Sequence, residues 1–228
     1  VVNSFHLFGA ADELALAEDQ RLVFAHTTQY IIYEFWTCVL EDPHRIIAIS
    51  TDLFPRIRNP HMFNSVQEKW TTYRDPFLRA SLFFMLNKCS ESGFISAGQL
   101  DDKNFNPIVL SHLKKFKAPH FEPVWDKNVE FHHSFKNIKN SDYLLFPIGK
   151  FNYNLFEYGK SKGHEMTTIH HQSFFQELHQ VKDRWIVLYK NHPEVFKLYK
   201  NSNILMVDKY GRQTNQKDRC EDLVIANF

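Results

Sequence analysis

The chain has 228 residues, of which 43% are hydrophobic and 23% are charged. This length suffices for one α/β core or two small domains, and the composition excludes a disordered or collagen-like protein. No stretch reaches the roughly 18–20 apolar residues of a membrane span, and no basic segment precedes an apolar run at the start, so we expect no membrane association and no secretion. The net charge of +1 excludes a polybasic protein but allows a local basic face.

The first part of the chain alternates between strand-like and helix-like patterns. In chain order, the predicted elements are a strand over 1–8, a short helix after Gly9, a strand over 21–25, and helices over 30–40 and 42–53. Asp42, followed by Pro43, is a typical helix cap. This alternation of strands and helices predicts a parallel sheet.

The middle of the chain is predicted to be helical and rich in loops, with Asp75 capping a helix over 77–87 and a turn over 91–94. Later segments predict strands over 129–133, 143–146, 185–189, 204–208 and 221–228, and helices over 169–182 and 193–199. Because the last two strands follow one another directly, we expect an antiparallel hairpin at the sheet edge.

The predicted fold class is therefore α/β: a Rossmann-like parallel sheet with an antiparallel edge hairpin, flanked by helices and interrupted by a helical subdomain. We expect residues 1–54 to form the first part of the core, 55–123 the inserted subdomain and 124–228 the second part of the core.

Several common chemistries are disfavoured by the motifs. Glycine lets a backbone approach a phosphate closely, and the chain has only 7 glycines. The segment 159–161 resembles the end of a phosphate loop, but Asn154 stands where that loop needs its first glycine.

No metal site is predicted, because the histidines at 132–133, 164, 170–171 and 179 match no metal-binding spacing. The three cysteines form no CxxC pair, which favours reduced thiols and an intracellular, cytoplasmic location. The basic segment 112–117 is interleaved with aromatic residues, and we interpret it either as a phosphate contact or as a solvated helix face.

Four segments resemble the Dam-like adenine-specific DNA methyltransferase family, and the resemblance extends over nearly the whole chain. These segments are 8–12, 35–43, 79–88 and 221–228, of which 79–88 is the most specific. The segment 105–107 also looks like an asparagine-containing motif of that family.

The resemblance implies double-stranded DNA as a partner. In the family, the segment that corresponds to 79–88 leads into a hairpin that enters the DNA. The residues implied in DNA binding are Lys88, Ser92, Gly93 and Phe94 of that hairpin, with Lys114, Lys115 and Lys117 near phosphates.

The catalytic motif of the family is degenerate in this chain. Methylation of an amino group needs an acceptor for the amino hydrogens, followed by Pro-Pro and an aromatic residue that stacks on the flipped base. The corresponding positions here are Phe146, Pro147, Ile148 and Gly149. Phe146 cannot accept a hydrogen bond, and Gly149 cannot stack.

The cofactor motif is degenerate as well. The family's FxGxG loop approaches S-adenosylmethionine, and the corresponding positions here include Phe8, Gly9, Ala10 and Asp12. The acid that holds the ribose in the family corresponds to Thr27. We therefore expect no cofactor, and S-adenosylmethionine only if the protein is active.

The leading hypothesis is a catalytically degenerate methyltransferase homologue that acts as a DNA-binding or partner subunit of a DNA-modification complex, such as a restriction-modification system, beside an active methyltransferase subunit. Phe151, Tyr153 and Phe156 would then fill the unused base pocket and collapse its cavity. One alternative is an active adenine methyltransferase in which Asn152 or Asn154 replaces the missing acid. Another is an α/β domain that does not bind DNA.

Overall fold

The structure is a computed structural model that describes residues 1–93, 95, 98–127, 129–135, 138, 141–151 and 169–228. The strands are β1 (Val2–Phe5), β2 (Val23–Thr27), β3 (Phe121–Trp125), β4 (Tyr143–Gly149), β5 (Trp185–Lys190), β6 (Asn203–Asp208) and β7 (Cys220–Ala226). The α-helices are α1 (Ala11–Glu18), α2 (Tyr30–Glu41), α3 (Pro43–Ile57), α4 (Pro60–Lys69), α5 (Pro76–Cys89), α6 (Pro107–Lys114), α7 (His171–Leu178) and α8 (Pro193–Leu198).

The chain divides into two compact units. The described residues of the first unit are Val1–Tyr30, those given above between 118 and 151, and Ile169–Phe228, and those of the second lie within Ile31–Lys117. The first unit thus carries all the strands named above, and the second carries α2 to α6.

The first unit is built on a 7-stranded sheet in the order β3-β2-β1-β4-β5-β7-β6. The pairs from β3 through β5 are parallel, whereas β7 runs antiparallel to both β5 and β6. The predicted fold class is confirmed: the fold is α/β and Rossmann-like, with a mostly parallel sheet and an antiparallel edge.

Two predictions around the start of the second core segment are wrong. The expected strand over 129–133 is absent, because Phe131–His133 forms a 3-10 turn. The strand β3, by contrast, was not predicted, since Pro123 lies at its centre and proline normally argues against a strand. Pro123 is tolerated because β3 is an edge strand, whose open side needs no ladder hydrogen bond.

Apolar side chains from β1, β4, β5, β7 and the helices α7 and α8 form the core of the first unit. Its fully buried aromatic residues include Phe5, Phe135, Phe146, Phe174, Trp185, Tyr189 and Tyr199. Many of the chain's 22 phenylalanines therefore serve packing rather than surface recognition.

In the second unit, an Asp or Asn followed by Pro precedes α3, α4, α5 and α6. The predicted caps Asp42 and Asp75 are confirmed, since their carboxylates accept the backbone N–H groups of Arg45 at 3.0 Å and Leu78 at 2.7 Å. Each such cap stabilises its helix by about 1 kcal/mol.

The centre of this unit is α5, which has nine buried residues. On its partly buried side, the Arg79 Nε donates to the Glu34 Oε1 at 2.7 Å, and the guanidinium also donates to the carbonyl of Tyr73.

Cys38, Cys89 and Cys220 are free and buried. None of the helices formed by the described residues is long and apolar enough to cross a membrane.

Candidate functional site

The carboxyl ends of β1 and β4 form the switch point of the sheet, because the chain continues from β1 toward β2 on one side, while β4 and β5 lie on the other. Open α/β sheets bind their ligands in the crevice at this position. The register pairs Phe5 with His26 and Ser4 with Leu145, so Phe5, His26 and Phe146 lie side by side on neighbouring strands.

Aromatic rings fill this end of the sheet. The ring of Phe5 stacks on Phe146 at a centroid distance of 5.3 Å and on His26 at 4.5 Å. Phe135 meets Phe146 edge to face at 5.0 Å, and Phe174 lies 5.1 Å from it. Phe146 is 0% exposed, so the residue to which the resemblance assigns the position of the acceptor is part of the core.

The rest of the degenerate motif continues along β4. Ile148 is buried and Pro147 is half-buried. A register shift against β5 lies between Pro147 and Gly149, and Gly149 has φ +70°, which glycine adopts without strain. The motif therefore ends in a bulged strand that presents no ring for stacking on a base.

A cavity of about 400 Å³ opens beside Pro147 and Gly149. Its polar lining consists largely of Asp12, Lys190 and Asp222, and the Lys190 Nζ lies 2.7 Å from the Asp222 Oδ1. Partial burial raises the pKa of the Asp12 carboxyl, as does the neighbouring charge of Asp222, whereas Lys190 opposes the shift. This cavity, with two carboxylates and one ammonium group, is present in the described part of the first unit.

The aromatic residues expected to fill the base pocket are described only in part. The Phe151 ring stacks on His171 at 3.9 Å and on His192 at 4.7 Å. Phe151 is not among the residues that line the cavity beside Pro147 and Gly149. Asn152, Tyr153, Asn154 and Phe156 lie outside the described residues, as do 159–161 and His164.

The loop that corresponds to the cofactor motif connects β1 to α1. Phe8 is half-buried, Gly9 and Asp12 are exposed, and Ala10 is 3% exposed. Ala10 precedes α1 with φ +55°, a left-handed conformation that favours glycine. The loop thus holds an alanine in a glycine-like conformation.

Thr27, to which the resemblance assigns the position of the ribose-binding acid, is buried at the end of β2. Its Oγ1 accepts the backbone N–H of Gln29 at 3.1 Å. The hydroxyl is therefore engaged in a local turn, and it supplies no charge for binding two ribose hydroxyls.

Beside it lies a polar chain that sequence reasoning missed. The His26 Nε2 is 3.0 Å from the Asn3 Oδ1, and the His26 Nδ1 is 3.1 Å from the Asp126 Oδ1. Asp126 directly follows β3. The signal in the sequence was an acid at the end of a strand, and it was missed because this strand was not predicted.

Two further titratable groups lie near the start of α1. Ser4 donates to the Glu13 Oε1 at 2.8 Å, and burial raises the pKa of Glu13 to about 7 although this hydrogen bond opposes the shift. Burial, assisted by His171, lowers the pKa of His6 to about 3. Glu13 is therefore mainly neutral below about pH 7, and His6 is mainly neutral above about pH 3.

The segment implied in DNA contact begins as a hairpin in the second unit. The Asp101 N–H donates to the Cys89 carbonyl at 2.7 Å, and the Glu91 N–H donates to the Gln99 carbonyl at 2.8 Å. Ser90 and Leu100 form an antiparallel bridge between these bonds.

Side chains from neighbouring helices hold this hairpin. The buried Gln67 of α4 donates its Nε2 to the carbonyls of Ile95 at 3.1 Å and Gly98 at 2.9 Å. Gly93 has φ +74°, and its carbonyl accepts the Asn87 Nδ2 at 3.3 Å. Ser92 is described only in its backbone, and Phe94 lies outside the described residues.

The implied lysines are placed differently from one another. Lys88 is half-buried in the last turn of α5. Lys114, Lys115 and Lys117 are exposed at the end of α6, and the sequence has no acidic residue between Asp102 and Glu122. The three lysines therefore form a local basic segment.

Within the described ranges, no three potential metal ligands come together.

Neither the models of known protein families nor the curated proteins provide a match to this chain.

Proposed function

We propose that this chain is a catalytically degenerate homologue of adenine-specific DNA methyltransferases that acts as a DNA-binding or partner subunit of a DNA-modification complex. The observation that carries the proposal is the complete burial of Phe146 at the position of the catalytic acceptor. A substrate amino group in that position would meet a hydrocarbon ring instead of an oxygen.

The energetic consequence for catalysis is large. A charge-assisted hydrogen bond contributes about 1.5–3 kcal/mol, and a positioned electrostatic contact in a transition state is worth about 10²–10³ in rate. Phe146 offers neither, and the rings of Phe5 and Phe135 close around it. We therefore expect no methyltransferase activity from the isolated chain.

The surroundings of the degenerate cofactor motif support the same interpretation. The Thr27 Oγ1 accepts a hydrogen bond from the backbone N–H of Gln29. The Asn3 Oδ1 and the Asp126 Oδ1 each lie within hydrogen-bond distance of a His26 ring nitrogen, whereas the Asp126 Oδ2 has no hydrogen-bond partner among the described residues. Polar atoms that already have partners gain little from a ligand, because each new hydrogen bond replaces an existing one.

The order of the strands supports the family relationship. A parallel sheet with one reversed strand between β5 and β6 agrees with the methyltransferase sheet that the resemblance implies. Because a fold does not determine an activity, this agreement supports only a common ancestry with the family. The function has to be inferred from the individual sites.

The DNA-binding part of the proposal is supported by the second unit. Its hairpin is held at the base by backbone hydrogen bonds and from one side by Gln67. Lys114, Lys115 and Lys117 are exposed and free of acidic neighbours in the sequence. Because three lysines neutralise few phosphates, we expect modest affinity from the chain alone, which a partner subunit would increase.

Binding of a fluorescein-labelled DNA duplex, measured by anisotropy over a series of salt concentrations, tests this part. The triple variant Lys114→Gln, Lys115→Gln, Lys117→Gln should bind more weakly, and the slope of log K against log salt should decrease by about 0.9 for each phosphate that is no longer neutralised. The exposed Lys182→Gln provides a matched control, because Lys182 lies in the other unit. An unchanged slope in the triple variant would contradict the proposed DNA contact.

A further inference from the structure

The connection between β6 and β7, in the first unit, begins with a tight hairpin turn over residues 208–212. The Asp208 N–H donates to the Arg212 carbonyl at 2.8 Å, and the Gly211 N–H donates back to the Asp208 carbonyl at 2.9 Å. The Asp208 carboxylate accepts the N–H groups of Tyr210 at 2.8 Å and Arg212 at 2.9 Å. Gly211 has φ +75°, as the last position of a three-residue hairpin loop requires.

This turn presents an aromatic ring to solvent. Tyr210 is 70% exposed, which makes it the most exposed of the large hydrophobic residues in the described part of the chain. The Lys209 Nζ lies 5.0 Å from the centroid of its ring, and the Arg212 Cζ lies 6.0 Å from it. An ordered loop therefore displays a flat ring with two cations beside it.

The rest of the loop is polar and basic. Residues 209–219, which we call the β6–β7 tip, contain Lys209, Arg212, Lys217 and Arg219 against a single acid, Asp218. All of its residues except Thr214 are exposed, including the amide side chains of Gln213, Asn215 and Gln216. The Asp208 carboxylate, just outside the tip, is used by the two backbone N–H groups of the turn.

We infer that the β6–β7 tip binds single-stranded nucleic acid, with an unpaired base stacked on Tyr210 and phosphates neutralised by Lys209 and Arg212. Exposed aromatic rings that alternate with cations are the elements by which proteins bind single strands, because every base offers a face for stacking and every nucleotide carries a phosphate. A duplex keeps its bases stacked on one another, so it offers Tyr210 a partner only at a considerable unstacking cost.

The composition of the tip argues against a lipid surface. Membrane insertion needs several apolar side chains, and Tyr210 is the only large apolar residue among 209–219. The excess of cations and the three amide side chains instead suit phosphate oxygens and base edges.

This site lies in the first unit, whereas the lysines of the proposed duplex contact lie in the second. The two can therefore fail separately. If the tip variants have no effect while the triple lysine variant still reduces the salt slope for a duplex, this inference falls and the proposed function stands.

The test is binding of a fluorescein-labelled oligothymidine of twenty nucleotides to the full chain, followed by anisotropy at several salt concentrations. Tyr210→Ala should weaken binding about fivefold or more, because it removes the stacking face. Tyr210→Phe keeps the stacking face and should bind within about twofold of the unmodified chain. The double variant Lys209→Gln, Arg212→Gln should reduce the slope of log K against log salt by about 0.7 for each phosphate that these two cations neutralise.

These variants leave Asp208 and Gly211 intact, and circular dichroism verifies the fold of each. Lys182→Gln, which removes an exposed cation outside the tip, should bind like the unmodified chain. The inference is overturned if the oligothymidine does not bind, if Tyr210→Ala binds as tightly as the unmodified chain, or if Tyr210→Phe loses as much affinity as Tyr210→Ala. Binding of the tip to anionic vesicles in place of the oligothymidine would overturn it too.

Discussion

The two regions to which the resemblance assigns chemistry differ in what they expose. In the first unit, the rings of Phe5 and Phe146 are fully buried at the carboxyl ends of β1 and β4. In the second unit, Lys114, Lys115 and Lys117 are exposed at the end of α6. A side chain that has become part of the core cannot contact a substrate, whereas exposed cations keep their capacity to bind phosphates. The proposed absence of catalysis and the proposed binding of DNA are therefore physically compatible in one chain.

The largest effect is expected from a charged side chain at the buried position of Phe146. Phe146→Asp places a carboxylate among phenylalanine rings, and we expect a loss of about 5 kcal/mol in the free energy of unfolding, or no folding at all. Phe146→Leu keeps the site apolar and should cost about 1.5 kcal/mol or less. Urea unfolding followed by circular dichroism measures both.

An opposite result for this pair of variants would be informative. If Phe146→Asp were as stable as Phe146→Leu, water would have access to this position, and the position could serve as a polar site. The contrast between the buried position of Phe146 and the exposed lysines at the end of α6 would then be wrong.

The second prediction concerns pH and Glu13. Burial raises the pKa of Glu13 from 4.5 to about 7, so the folded protein retains a proton that the unfolded chain releases. The free energy of unfolding attributable to Glu13 is therefore highest below pH 4.5, falls as the pH rises to 7, and stays low above it; the difference is about 3 kcal/mol.

Glu13→Gln isolates this contribution, because the amide cannot ionise. The opposing effect of His6, whose lowered pKa favours stability at higher pH, is present in both proteins and cancels in their difference. Urea unfolding from pH 4 to pH 8 should show the variant gaining stability relative to the unmodified chain as the pH rises. A constant difference over this range would mean that Glu13 titrates normally in the folded state.

The third prediction concerns Gln67, which holds the hairpin of the second unit. Gln67→Ala leaves the carbonyls of Ile95 and Gly98 without their amide donor, and we expect a loss of about 2 kcal/mol in the free energy of unfolding. Because Gln67 holds the hairpin, duplex binding should weaken as well. The exposed Glu68→Ala on the same helix is the control and should change stability by no more than about 0.5 kcal/mol. Equal effects of the two substitutions would contradict the role of Gln67.

The smallest effect is expected in the loop before α1. Ala10→Gly removes a side chain from a residue with φ +55°, and we expect a gain of about 0.5–1 kcal/mol in the free energy of unfolding. Ala25→Gly, in the regular strand β2, should instead destabilise the protein. Thermal unfolding compares the two. A loss of stability on Ala10→Gly would show that the burial of the Ala10 methyl group outweighs the backbone strain.

Local rules predicted much of the fold. Asx-Pro pairs marked helix starts at Asp42 and Asp75, because a capping carboxylate and a proline with fixed φ act within a few residues. Consecutive strands at the end of the chain predicted the antiparallel β6–β7 hairpin for the same reason. The edge strand β3 could not be recognised in this way, since Pro123 is acceptable only where the neighbouring side of the strand is open.

The site was less predictable because it depends on register between distant segments. The difference between residues 146–149 and the catalytic motif of the family that the chain resembles was visible in the sequence, but the stacking of Phe146 on Phe5 requires the alignment of β1 with β4. The contact of His26 with Asp126 joins residues 100 positions apart. The left-handed conformation of Ala10 is also set by the surrounding structure, because alanine itself disfavours it.

The most direct test of the central claim is a calorimetric titration of the purified chain with S-adenosylmethionine. Because Phe146 is buried and Thr27 is engaged in its own turn, we expect no saturable heat at millimolar ligand, while circular dichroism shows the chain to be folded. Saturable binding of one ligand per chain at micromolar concentration would contradict the account. It would show that a working cofactor site exists despite Ala10, Asp12 and Thr27.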